Sequence, residues 1–273
     1  MLTPLLLWLL PQVVLPSPGQ LEAARNNHDE VELARLGCRL GAVRLLRLAA
    51  QAATSPQRVA ALEALGLCGA HQDEVAVQAL WPLAELLGRS EELPLLQAGA
   101  RAAVRLGRRL GRAMLQGEER YDDELPRAAA LLLQLARERP WPPELRAELV
   151  EAATSLPRPL WSIAALVPLA HAERPVQQAA LSALAQAAPQ GGAAALEQLA
   201  AEQDPAVAVP AVAMLCETAP SGPAAERARQ LAAPRASTSP ELRLLLRACL
   251  QRLGTPLDRS LLRTLGGGRR ARP

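Results

Sequence analysis

Four arginines in the run RAAVRLGRRLGR (Arg101, Arg105, Arg108 and Arg112) are spaced 4, 3 and 4 residues apart. On a helix that spacing lines them along one face, with Arg109 beside them. A guanidinium ridge of this kind binds anions through planar, bidentate hydrogen bonds: phosphate, lipid headgroups or the carboxylates of an acidic partner. The plainer reading is a solvated polar face, partnered by the acids of the nearby stretch GEERYDDEL: Glu118, Glu119, Asp122, Asp123 and Glu124. Runs of charge more often serve that second purpose, so the solvated face is the expectation. Aromatic residues that would stack the bases of a single strand are not interleaved with the arginines.

The other chemistry-bearing residues are sparse. The cysteines are Cys38, Cys68, Cys216 and Cys249; none forms a CxxC, and no histidine stands near one at metal-ligand spacing. A metal site is therefore not expected. In an exported chain Cys38 could pair with Cys68, and Cys216 with Cys249; otherwise the thiols read as small buried hydrophobes. His28, His71 and His171 are isolated. No Ser-His-Asp set, phosphate-cradling glycine loop or Gly-x-Ser-x-Gly is visible, so neither an enzyme nor a cofactor is expected.

What must position these residues is an alanine- and leucine-rich chain. Half of the 273 residues are hydrophobic but only 2% are aromatic, with four Trp, one Tyr and no Phe. Isoleucine occurs once, at Ile163, and valine is the only β-branched residue in quantity. Ala, Leu, Arg, Glu and Gln favour helix, so the composition is that of an all-α protein. All 30 basic residues are Arg. The absence of Lys and Phe points to a GC-rich bacterial genome rather than to selection for arginine. With 27 acidic residues and a net charge of +3, total charge does not mark a polyelectrolyte binder.

The start, MLTPLLLWLLPQVVLPSPGQ, carries apolar runs at 5–10 and 13–15 followed by a Pro/Ser/Gly break. It is too short to span a membrane. It has the form of a signal peptide over residues 1–19, with a mature start near Gln20, which makes the protein periplasmic or secreted. No Arg or Lys precedes the apolar run, and the alternative is an apolar capping segment on a cytoplasmic protein. The tail GGGRRARP, residues 266–273, reads as flexible and basic.

Between these ends a helix-start device repeats. Asp204-Pro205 places an N-cap acceptor before a proline whose missing N–H has no partner in the first turn. Proline recurs at Ser55-Pro56, Leu93-Pro94, Pro142-Pro143, Arg174-Pro175 and Ser239-Pro240. The helices that follow share apolar positions 0, +4, +7 and +8, starting at Gln57, Leu96, Leu145, Val176, Val207 and Leu242. Those starts differ by 39, 49, 31, 31 and 35 residues, the period of a helical solenoid. Partner helices are expected at Glu74–Leu87, Pro126–Arg137, Pro159–His171, Ala193–Glu202 and Ala224–Ala232. Pro210 should kink its helix. Trp81, Trp141 and Trp161 fall near helix starts or loops and read as gap fillers in an alanine-rich core, with partner anchors as the sharper alternative. In repeat coordinates Cys249 takes a core slot at +7 and Cys216 lies at +9, an offset that argues against their pairing.

Asp204-Pro205-Ala206-Val207, the run from Pro175 to Leu184 and Arg58-Val59-Ala60-Ala61-Leu62-Glu63-Ala64-Leu65-Gly66 resemble HEAT repeats. The second halves of that family read roughly Asp-Pro-x-Val-Arg-x-Ala-Ala-x-x-Ala-Leu-Gly. The resemblance covers most of residues 20–255. It departs where Gln177 or Ala208 replaces the arginine and where the 96-to-145 interval runs long, with GEERYDDEL as a protruding loop. It implies an all-α, right-handed α-solenoid of about six helix pairs over residues 20–265. By the same resemblance the protein is a non-catalytic scaffold that binds a protein partner on its concave helix face. Binding of nucleic acid or another anionic surface through Arg101–Arg112 is the alternative. The HEAT-repeat hydroxylases that bind iron carry repeated His-Glu pairs, whereas the histidines here precede Asp29, Gln72 and Ala172.

Overall fold

The computed structural model describes residues 15–116, 123–218 and Leu244. These residues form helices and turns, with no strand among them. They fall into two compact units divided at Ala113/Met114, in the last turn of a long helix.

The first unit holds α1 (Pro18–Asn26), α2 (Glu30–Leu40), α3 (Ala42–Gln51), α4 (Ser55–Gly69), α5 (Asp73–Arg89) and nearly all of α6 (Leu93–Leu115). Local chemistry sets the helix starts. Ser17 and Gln20 form a reciprocal capping box on α1, the Asp29 carboxylate accepts from the Glu32 amide to open α2, and the Thr54 hydroxyl caps α4 just before Pro56. The Ser17–Gln20 box straddles the expected signal cleavage point, so a chain beginning at Gln20 lacks it.

Small residues then let the helices stack. Ala60, Ala61 and Ala64 of α4 are fully buried. A β-carbon on Gly37 would sit 2.8 Å from the Ala64 carbonyl oxygen, and one on Gly66 would sit 2.8 Å from Cα of Ala102. These glycines thus set the approach of α2 to α4 and of α4 to α6. A disulfide joins Cys38 to Cys68 across the first of those contacts.

The second unit contains α7 (Glu124–Glu138), α8 (Pro143–Thr154), α9 (Ile163–Leu166), α10 (Arg174–Gln186), α11 (Gly192–Ala201) and α12 (Pro205–Thr218). Here α7 packs on α8 and α11 on α12, while α10 lies against both α8 and α12. Gln177, which stands where the HEAT pattern has arginine, donates its side-chain amide to the carbonyls of Ala170 and Ala206 at 2.9 Å each. It does the tying of successive helices that a longer guanidinium would do. Cys216 on α12 is disulfide-bonded. It is therefore not a free buried thiol.

Two expectations need correction, those for residues 159–171 and for Trp81. Residues 159–171 are not one helix: the run forms a turn, the single-turn α9 and a 3₁₀ turn at Pro168–His171, where Pro168 lacks the donor that would continue α9. The long 96-to-145 interval is partly helix, because α6 is 23 residues long where α4 has 15. Trp81 lies mid-way along α5, not near its start, whereas Trp161 is a gap filler as expected, only 6% exposed. The helix with Pro210 inside it runs on to Thr218. The expectations for residues 1–14, most of GEERYDDEL, Ala224–Ala232, Ser239-Pro240, Cys249 and the basic tail lie outside the described residues.

Candidate functional site

The arginine stripe lies on α6 as its spacing requires. Arg101, Arg108 and Arg112 are exposed, while Arg105 and Arg109 are half-buried where α6 meets its neighbours. Three of the five have described partners, and two of those partners are acids of neighbouring helices. Arg109 makes a bidentate pair with Asp73 at the start of α5, Nε to Oδ1 at 2.5 Å and the terminal nitrogen to Oδ2 at 3.0 Å. Arg105 faces Glu30 at the start of α2, at 3.8 Å. Arg112 donates to the Arg108 carbonyl at 3.3 Å. Asp73 and Glu30 both sit in first turns, where the helix dipole already favours a negative charge. The half-buried members thus differ: Arg109 braces the helix stack through two hydrogen bonds, whereas Arg105 makes only a loose contact with Glu30.

The upper part of the stripe opens onto a groove of about 570 Å³. Arg101 and Arg105 form one wall, and Asp29 and Glu30 face them from α2. Leu33, Leu67, Ala98 and Ala102 make an apolar floor, and Arg25, Asn26, His28 and Glu63 complete the end beneath α1. All of these come from α1, α2, α4, α6 and the α1–α2 turn, none from α3 or α5. The groove therefore lies on the face made by the stacked second helices. That size suits a few side chains of a ligand rather than a single ion.

Sequence reading located Arg101 and Arg105 but not the rest of this site. The missing signal is the stacking register, which brings together residues 25–33, 63–67 and 98–105. A local clue existed in Asn26-Asn27-His28-Asp29. His28 takes φ +55°, a left-handed conformation that histidine, asparagine and aspartate tolerate better than most, and the resulting tight turn carries Asp29 to its capping position.

Described residues of the second unit also form grooves. One, of about 530 Å³, is lined by Gln134, Arg137, Arg158, Trp161 and Ser162 among others. Arg158 stacks on the Trp161 ring with 5.2 Å between guanidinium carbon and ring centroid, and donates to the Trp161 carbonyl. Trp161 in turn donates from Nε1 to the Leu156 carbonyl at 2.7 Å. Another, of about 400 Å³, lies between α8 and α10 and is edged by Glu151, Thr154, Gln178, Ser182 and Gln186. Among the described residues, no three His, Cys, Asp or Glu side chains come together as a metal-binding group. No described helix is long and apolar enough to cross a membrane.

Stacked helix pairs with alanine-lined contacts and a groove on the second-helix face describe a repeat array. A solved structure similar in fold is the archaeal HEAT-like repeats protein of Thermococcus onnurineus NA1, at a TM-score of 0.53 and 15% identity, over 88% of this chain and 97% of that one. The fold is that of HEAT-like repeats. Two further structures align more loosely. Human deoxyhypusine hydroxylase has 17% identity and a TM-score of 0.38 over 87% of this chain and 84% of its own. The CpcE–CpcF phycocyanin lyase complex of Nostoc sp. PCC7120 has 18% identity and a TM-score of 0.37, over 92% of each chain. No family model and no curated protein matches the sequence.

Proposed function

We propose that this chain is a non-catalytic scaffold that holds a partner protein on the face formed by α2, α4 and α6. The observation that carries this reading is the groove on that face, which combines an apolar floor with walls of opposite charge. HEAT-like stacks display such faces rigidly, because each helix pair is fixed by its neighbours. Rigid display lowers the ordering cost of binding.

Export fits the same reading. The Cys38–Cys68 disulfide and the bonded state of Cys216 are what an oxidising compartment maintains. In that case the apolar start is a leader, and the chain works outside the cytoplasm.

A second reading, an anionic polymer on the ridge, draws on the exposure of Arg101, Arg108 and Arg112 along one face. Affinity capture of the tagged full chain at 50 and 500 mM salt separates the two. A stoichiometric protein that stays bound at high salt supports the scaffold. Nucleic acid that is captured at low salt and lost steeply supports the ridge instead. Sequencing the N-terminus of the same preparation decides the export reading: an intact Met1 overturns it.

A further inference from the structure

Among the described residues of the first unit, ion pairs between different helices or helix edges include one that is unlike three others. Arg25 bonds Glu63 at 2.8 Å. Arg58 meets Glu92 at 2.7 Å, and the same carboxylate accepts from the Ser55 hydroxyl at 3.0 Å. Arg109 holds Asp73 through two hydrogen bonds. Arg105 and Glu30 stand 3.8 Å apart, beyond hydrogen-bond length, with Glu30 72% exposed. Three of the pairs are locks; the fourth is a loose contact on the wall of the groove.

The acids around Arg105 are otherwise committed. Glu63 is taken by Arg25, and the Asp29 carboxylate caps α2 through the Glu32 amide at 2.9 Å. Glu30 alone can swing away without breaking a hydrogen bond. Arg105, by contrast, is fixed at its base. Its Cδ lies over Gly66, so that a β-carbon on Gly66 would come within 3.4 Å of it. The head of this arginine is left pointing at the groove with a weakly held carboxylate in front of it. Beneath it Leu33, Leu67 and Ala102 offer an apolar floor.

Resting on the scaffold reading above, we propose that the groove receives an extended segment of the partner protein bearing a Glu or Asp beside an aliphatic residue. The incoming carboxylate takes the Arg105 guanidinium in a bidentate pair and displaces Glu30, which returns to solvent. The neighbouring aliphatic side chain settles on Leu33 and Leu67. Charge complementarity sets the choice: a planar guanidinium presents a fork that matches a carboxylate, and Glu30 already shows the chemistry it accepts.

The test is selection of a phage-displayed library of random dodecapeptides on the full, disulfide-intact chain, followed by anisotropy titration of one selected peptide after fluorescein labelling. Selected sequences should be enriched in Glu or Asp next to Leu, Ile or Val. Arg105→Gln should weaken binding about tenfold or more. Glu30→Gln, an exposed change that leaves folding intact, should strengthen it several-fold by removing the resident competitor; a merely structural role for the pair predicts no gain. Arg89→Gln, whose ion pair lies on α5 outside the groove, should change nothing. Peptides without acids whose binding ignores Arg105→Gln overturn the acidic-ligand inference and leave the scaffold reading standing. Failure to select any peptide overturns the inference too, while partner capture still decides the scaffold. Displacement of the peptide by a single-stranded DNA oligomer, steeply salt-dependent, would place a polyanion in the groove and overturn it as well.

Discussion

Removing the Cys38–Cys68 bridge should loosen the face that carries the groove. The bridged residues are separated by 30 positions in sequence, and the bond joins α2 to α4, two of the helices that line the groove. Treating the bond as a constraint on the unfolded chain, a closed loop of that length contributes about 3.5 kcal/mol. Cys38→Ala/Cys68→Ala should therefore raise the population of the open first unit roughly 300-fold. Hydrogen exchange read by mass spectrometry measures this directly, because core amides of a helix exchange through such openings. Amides of α2 and α4 should exchange two to three decades faster in the double variant, with α10 as the internal reference. The alanine replacements remove little volume, and Gly37 beside Cys38 keeps α2 close to Ala64 without the bridge, so packing loss is a minor part of the effect. An acceleration below tenfold in α2 and α4 refutes the reasoning: α2 would then be held by packing alone, and the bridge would not fix the groove wall.

Three further outcomes follow from the same structure. Gly66→Val should lower stability by about 2 kcal/mol through overpacking against Ala102, whose Cα a β-carbon there would approach to 2.8 Å; a thermal melt of the variant checks this. Trp161→Phe should cost about 1–3 kcal/mol by orphaning the Leu156 carbonyl in a buried site, read as a lower urea midpoint. The Glu32 carboxyl is held below the ordinary carboxylate range by its hydrogen bonds from Arg35. A depressed folded-state pKa stabilises above the unfolded value and loses that contribution as pH falls through the folded one. An NMR titration should thus show the Glu32 midpoint rising towards the usual range in Arg35→Gln; an unchanged midpoint contradicts the assignment of the shift to that arginine.

Much of the fold is written locally. Pro56, Pro143, Pro175 and Pro205 stand in the first turns of α4, α8, α10 and α12, because proline fits there and nowhere deeper without loss of a backbone bond. The apolar spacing that follows each one marks the buried face, and HEAT-like repeats come directly from it. Residues 159–171 misled the reading because their apolar content suits a helix, while Pro168, the tenth residue of the run, removes a donor that a continuous helix would need. The candidate site was half legible. Spacing alone placed Arg101, Arg105, Arg108 and Arg112 on one face. It said nothing of Asp73, 36 residues before Arg109, or of Glu30 at an even greater distance from Arg105. The Glu30 pairing depends on how closely α2, α4 and α6 stack, which Gly37 and Gly66 permit, and the Asp73 pairing on how α5 folds back against α6. First-turn acids of neighbouring helices are partners of Arg105 and Arg109 that proximity in sequence does not reveal.

The central claim is that the α2–α4–α6 face holds a partner protein. Site-specific photocrosslinking in the native cells tests it most directly, with the photoreactive side chain placed either at Arg101 on the groove wall or at Val43, an exposed residue of α3 on the other helix layer. The account predicts that the group at position 101 captures one discrete protein and the group at 43 does not. Equal capture from both positions, or capture from 43 alone, would contradict it.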